Sequence, residues 1–372
     1  MSTSDVTREG VRGQRPGRDA VTGSARVVGQ EQRRRHDGRR GGPGGPARVP
    51  DEEFRSYYGR PVLNQVVWEA PDIGGYLFLG GLAGASSVLA AGAELTGCDA
   101  LARPLKYTAL AAISGSVVAL VHDLGRPERF LNMLRVVKPT SPMSVGTWIL
   151  TGYGPLAGVA AVTAATGWFP RIGRAAALGA AVTGPLVATY TAPLVCDTAV
   201  PSWHEGYRYM PFVFAASAAS AAGGAGLVAA PIGQSGPARR AAVGGALVET
   251  AVFTAMEHRM GLAGEPYRTG TAGAFVRAAK VLTLAGAAGA VLGRRSRAVS
   301  ALSGAALLAG SACTRLGVFH AGKQSAADPK YTVLPQRRRM AERAAEAERA
   351  AEAERAGEAG HAVGPAGSGG GA

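Results

Sequence analysis

The stretch DIGGYLFLGGLAGASSVLAAGA, residues 72–93, carries one charged side chain, at its first position, in 22 residues. At about 1.5 Å per residue it is long enough to cross the roughly 30 Å of hydrocarbon in a bilayer. Seven further stretches have the same character, at about 104–122, 143–166, 174–196, 210–230, 239–257, 272–292 and 298–318. The expected fold is therefore an all-α integral membrane protein, a bundle of eight transmembrane helices with polar, partly disordered N- and C-terminal tails. Small residues recur in these stretches, as at Gly80, Gly81 and Gly84 or Gly223, Gly224 and Gly226. They suit helices whose backbones approach closely in lipid, or reflect a plain Ala/Gly bias.

Averages conceal this pattern. Over 372 residues the apolar fraction is 47% and the mean hydropathy only +0.08. Residues 1–60 hold 13 Arg among Gly, Pro and Ser, and residues 321–372 hold 15 charged side chains, so polar ends dilute an apolar middle. The chain divides into an Arg/Gly-rich disordered tail over 1–56, a membrane domain over 57–339 and a charged Ala/Glu/Arg-rich tail over 340–372. Within the last, AERAAEAERAAEAERA (341–356) is polar nearly all round and reads as a solvated helix or a disordered segment.

The formal charge of +14 raises nucleic acid as a partner. The Arg-rich tail lacks the interleaved aromatics of a base-stacking surface and lies beside membrane spans, where basic flanks set orientation, so membrane lipid and not nucleic acid is the expected partner. Cys98, Cys196 and Cys313 form no CxxC pair, which leaves no thiolate set for an iron–sulfur cluster or structural zinc. Residues 1–50 contain no apolar signal segment, so the first span is expected to direct insertion.

An even number of spans places both tails on one side. Loops on that side carry seven Lys/Arg and those on the other nine, which decides nothing. Arg55, Arg60, Lys323, Lys330, Arg337, Arg338 and Arg339 lie near the membrane and favour a multi-pass protein of the cell (inner/plasma) membrane with both termini in the cytoplasm.

The two faces differ in content. Far-side connections such as GWFPRIGR are short and plain. Those on the tail side read DLGRPERFLNMLRVVKPTSPMS (123–144), CDTAVPSWHEGYRYMP (196–211), MEHRMGLAGEPYRTG (256–270) and AGKQSAADPKYTVLPQRRR (321–339), mixing charge, Pro and aromatic residues as a docking surface does. Arg126, Arg129, Trp203, His204 and Lys323 are its candidate contacts. In the first of these loops Pro127 can open a short helix bearing Phe130, Leu131, Leu134 and Val137, with Ser141 and Pro142 capping the third span; an ordered re-entry loop explains the segment equally.

Histidines sit at predicted span ends (His122, His204, His258, His320) or in the tails (His36, His361), so neither a transmembrane haem nor a bound metal is expected. What the apolar middle does hold is a set of ionisable and phenolic groups, costly in hydrocarbon unless they face a cavity or a partner. Glu249 lies midway along the sixth span, Arg277 and Lys280 in the seventh, and Asp123 and Asp197 close the second and fourth; Asp72, Tyr76 and Tyr190 lie in the same half. Together they suit a quinone headgroup, which needs hydrogen-bonding, protonatable partners and an apolar channel. Loop salt bridges for Asp123 and Asp197, an interfacial place for Tyr76 and a snorkelling Lys280 are the plainer alternatives.

YYGRPVLN, PDIGGYLFLGGLAGAS and HDLGRPERFLNMLRVVKPTSPMSVGTWIL, within 57–153, together with TAVPSWHE and GKQSAADPKYTVLPQR, resemble the NrfD/PsrC family of polysulfide-reductase-type membrane subunits. The resemblance covers roughly 52–339. It implies an eight-helix bundle without its own redox cofactor, docked on a four-cluster iron–sulfur subunit that is paired with a molybdopterin catalytic subunit. It also implies exchange of electrons with menaquinone or another quinone, as in polysulfide reductase or a membrane-bound formate dehydrogenase.

By position Tyr190 resembles the tyrosine that the family places at the quinone, and Trp68, Glu69, Asp72 and Tyr76 resemble its first-helix entry, with Lys280 added as a quinone contact. Asp123, Glu249 and Tyr190 are the expected reactive groups. Gln65 and Glu69 depart from the Asn and His that relatives present, and the Arg-rich amino tail lies outside the family pattern. Competing readings are a passive anchor for soluble subunits and a secondary transporter with broken helices.

Overall fold

The computed structural model describes residues 6–7, 10–11, 62–124 and 128–362. The chain forms two units, Met1–Arg60 and Pro61–Ala372. In the first, an antiparallel pair joins β1 (Val6–Thr7) to β2 (Gly10–Val11); the remainder of the expected 1–56 tail lies outside the described residues.

The second unit is helical throughout its regular elements. In chain order these are α1 (Ala70–Leu95), α2 (Asp99–Asp123), α3 (Glu128–Met133), α4 (Pro142–Thr166), α5 (Pro170–Thr189), α6 (Thr191–Cys196), α7 (Pro201–His204), α8 (Met210–Ala229), α9 (Gly236–Arg259), α10 (Gly270–Leu292), α11 (Arg297–Ala327) and α12 (Lys330–Ala362). Prolines near the starts of α1, α4, α5, α8 and α9 occupy first-turn positions, where the missing N–H costs nothing. Gly97 and Gly167, at φ 71° and 75°, take the left-handed conformation that lets the chain reverse after α1 and after α4.

Seven segments are long and apolar enough to cross a membrane: α1, α2, α4, α5 with α6, α8, α10 and α11. The sixth expected span forms α9 over Gly236–Arg259, yet it falls outside that set because Arg239, Arg240, Glu249, Glu257 and Arg259 lower its hydropathy. Two expected boundaries shift. The fourth span breaks at Tyr190, where Pro193 has no N–H for the Thr189 carbonyl. The last span continues to Ala327, since its polar end is buried: Ser202 N donates to Ser325 Oγ at 3.3 Å.

α1 and α8 form the centre, with 67% and 72% of their most apolar windows buried against 28% for α2 and 33% for α10. Backbones touch at two glycine pairs. A Cβ on Gly84 of α1 would lie 2.2 Å from the Gly184 carbonyl oxygen of α5, and one on Gly304 of α11 would lie 2.4 Å from that of Gly224 on α8. At these seams the small residues are packing devices. Apolar side chains such as Val118, Val182 and Leu302 point outward, as a lipid-facing surface requires.

The expected short helix after α2 is α3, while Arg126 and Pro127 lie outside the described residues. Ser141 does stand at the N-cap of α4, but its side chain makes no capping bond. Ser144 orders the loop instead, donating to the Val136 carbonyl at 2.8 Å and accepting from Lys138 N at 3.0 Å. The charged carboxyl-terminal run is helical: α12 is continuous from Lys330 to Ala362, and its residues 337–353 are largely exposed.

Candidate functional site

α1 runs inward from the face that carries the tail-side loops, and α2 returns to it, so the start of one lies beside the end of the other. Asp72 occupies the first turn of α1 and His122 the last turn of α2, each at the helix end whose dipole favours its charge. They meet, with His122 Nδ1 2.9 Å from Asp72 Oδ2. Asp123 is near enough to Asp72, Glu69 and His122 to interact electrostatically with all three. Glu69 is exposed and precedes α1 as its N-cap, without a side-chain capping bond.

Four residues along α1, on the same face and about 6 Å deeper, stands Tyr76. Its hydroxyl hydrogen-bonds the hydroxyl of Tyr190, which is placed by the break between α5 and α6; the two side chains are 3% and 8% exposed. Their rings meet edge to face, with centroids 6.4 Å apart. Gly146 on α4 makes the room, since a Cβ there would lie 2.3 Å from Tyr190 Cε2. Ser116 of α2 donates to the Tyr76 carbonyl at 3.2 Å and holds α1 in register. The result is a buried phenol pair one turn below a partly exposed acid–imidazole cluster. Tyr153 makes a third buried phenol in α4, donating to the Ala83 carbonyl at 2.7 Å, with Ser87 Oγ 2.7 Å away.

Glu249 and Lys280 belong to a different cluster, between α8, α9, α10 and α11. Glu249 is 4% exposed and accepts from Thr314 Oγ1 at 2.6 Å; its other oxygen has no partner among the described residues. A narrow cleft lined by Glu249, Thr314, Thr283 and Lys280 has room on the order of one water. At its outer end Lys280 pairs with Glu257 at 2.6 Å. Lys280 therefore takes its ion-pair partner here and makes no bond to the tyrosine pair.

Sequence reasoning passed over Arg315, which belongs to the same cluster. It is 0% exposed, its guanidinium carbon lies 3.7 Å from the centroid of the Phe214 ring, and Nη2 donates to the Phe214 carbonyl at 2.9 Å. Its Nε and Nη1 have no partner among the described residues, and Glu249 is its electrostatic counterpart. The signal was available: an Arg inside the otherwise uncharged SACTRLGVF (311–319).

The candidate docking residues divide. Trp203 is 2% exposed, donates from Nε1 to the Val318 carbonyl at 2.7 Å and packs on Gly322, so it is a packing residue and not a surface contact. Trp68 stacks on it at 5.9 Å, and Lys323 Nζ donates to the Trp68 carbonyl at 3.4 Å. Trp68 thereby secures the approach to α1. His204 is exposed. Arg126 and the Arg129 side chain lie outside the described residues. Asp197 is exposed, with its backbone N–H bonded to the Pro193 carbonyl at 2.9 Å.

Among the described residues, no three of His, Cys, Asp and Glu gather in a group that could hold a metal ion. The family model for polysulphide reductase, NrfD, matches residues 61–258, more than half of the chain. The chain belongs to the NrfD family. It is accordingly a multi-pass membrane subunit of a redox complex. The phenol pair and its acid–imidazole mouth lie wholly inside the matched segment, whereas Lys280, Thr314 and Arg315 lie beyond it. No curated protein matches the chain.

Proposed function

We propose that this NrfD-family chain is the quinone-handling subunit of its complex, exchanging electrons between an iron–sulfur partner docked on the tail-side face and menaquinone or a similar quinone. The observation that carries the reading is the Tyr76–Tyr190 hydroxyl pair, buried and one helical turn below Asp72, His122 and Asp123. The donor set fits a quinone: two phenols can each bond a ring carbonyl once their mutual bond opens, and carboxylate and imidazole above them can pass protons to or from bulk water. Reduction takes two electrons from the partner and two protons from this mouth; oxidation returns both.

In this reading α9 crosses the membrane as an eighth helix, tolerated there because its carboxylates turn inward, and both termini face the cytoplasm. Glu249 serves as an inner relay joined to Lys280 and Glu257 by the cleft. Asp123 and Tyr190 are the reactive groups of the outer site, and the molybdopterin subunit is reached through the iron–sulfur protein. His204, Arg126, Arg129 and Lys323 contribute to the docking face.

The test is quinone reduction by the purified complex carrying Tyr190→Phe together with Asp123→Asn. Turnover should fall at least tenfold while subunit composition is retained. Unchanged turnover would displace the site, and a complex with no quinone dependence would leave the chain a passive anchor.

A further inference from the structure

A cavity of about 450 Å³ lies between α1, α5, α8 and α9, well within the size range of ligand sites. Its walls are mostly Ala, Val, Leu, Gly and Pro, with Thr96, Thr189 and Arg240, and it is bordered by Val88 and Pro185, both exposed.

This groove is separate from the phenol pair. Ala85 and Val88 line it from α1, but Ala85 is nine residues from Tyr76, about half a turn around the helix at 3.6 residues per turn. On α5 it is lined by Pro185, Ala188 and Thr189, whereas Tyr190 turns toward Gly146 of α4. Between the two sites α1 and α5 touch backbone to backbone at Gly84 and Gly184.

The far-side end is cationic. Arg240 lines it, is exposed, and has no hydrogen-bond or ion-pair partner among the described residues. Its neighbour Arg239 is committed to the structure, donating to the Ala290 carbonyl at 2.7 Å and to Ser235 Oγ at 3.2 Å. Along α1 the lining runs from Thr96 beside that end to Ala85, eleven residues or about 16 Å, close to half of a roughly 30 Å hydrocarbon core. An apolar slot one leaflet deep with a free guanidinium at headgroup level has the chemistry of a phospholipid site, because guanidinium pairs with phosphate in a bidentate fashion.

We propose that one anionic phospholipid binds this groove, an acyl chain lying between α1, α5, α8 and α9 and its phosphodiester resting on Arg240. The lipid completes the packing of the bundle's centre on the flank opposite the phenol pair.

The full chain, delipidated in mild detergent, is titrated with phosphatidylglycerol and separately with phosphatidylcholine and read by native mass spectrometry. One phosphatidylglycerol should be held in preference to phosphatidylcholine. Arg240→Gln should reduce that preference about fivefold, the loss of one near-surface cation. Ala219→Leu, which narrows the groove, should weaken both lipids; Arg240→Gln, at an exposed side chain, serves as the test should the Leu variant not fold. Equal binding of the two lipids by the unaltered chain, or an undiminished preference in Arg240→Gln, overturns the proposal. So does quinone retained at this site in place of phospholipid, or a second copy of the chain covering it, detected as a Val88→Cys cross-linked dimer in native membranes.

Discussion

Tyr76 and Tyr190 satisfy each other's buried hydroxyl, so neither can be altered without a consequence for its partner. Tyr76→Phe leaves the Tyr190 phenol buried and unbonded, a cost of about 1–3 kcal/mol, which equilibrium unfolding in mixed detergent would measure. The same variant should slow quinone turnover by the complex, because one of two carbonyl donors is gone. Arg315 poses the opposite problem, a whole charge in a fully buried position with Glu249 as its electrostatic counterpart. Arg315→Met strands that carboxylate and is expected to destabilise the bundle by about 3–5 kcal/mol, whereas adding Glu249→Gln should restore part of the loss. A single variant that costs nothing would show that the two do not compensate each other.

Among elements, the contact of α1 with α5 positions both tyrosines and divides the phenol site from the lateral groove. Gly84→Val would thrust a branched side chain into the Gly184 backbone, so the variant should fail to give a monodisperse protein, while Gly92→Ala, where an added Cβ meets nothing within 4 Å, should behave as the parent. Gel filtration of the two distinguishes a seam from a mere composition. At the start of α12 the Lys330 ammonium bonds Glu265 at 2.9 Å, and that hydrogen bond raises its pKa above the usual lysine value. The sign follows: the clamp is complete below about pH 10, the ordinary lysine range, and weakens only as pH rises through the elevated value. Because Lys330 is 33% exposed, its contribution is below about 1 kcal/mol. Hydrogen exchange at 331–334 should be insensitive to Lys330 ionisation near neutral pH and should quicken locally in Lys330→Ala.

For the molecule as a whole, residues 340–353 extend α12 with largely exposed side chains. Ending the chain at Arg339 should leave melting temperature and quinone turnover of the complex unchanged; a fall in either would assign the tail a partner. Much of this architecture was legible before any coordinates, because length and hydropathy are properties of a segment by itself. The seven apolar crossing segments, the additional helix at the sixth position and the contrast between plain and elaborate loops all follow from runs of residues read in order. Contacts between segments were not legible, since they depend on the rotational phase of each helix and on its choice of neighbours. That Tyr76 meets Tyr190 across 114 residues, that Lys280 turns to Glu257, that Trp203 is buried and that Arg315 stands beside Glu249 came only from packing. Segment hydropathy decides that a helix enters the membrane; the placement of small residues decides how closely and at what angle its neighbours approach, and with that which polar groups share a site.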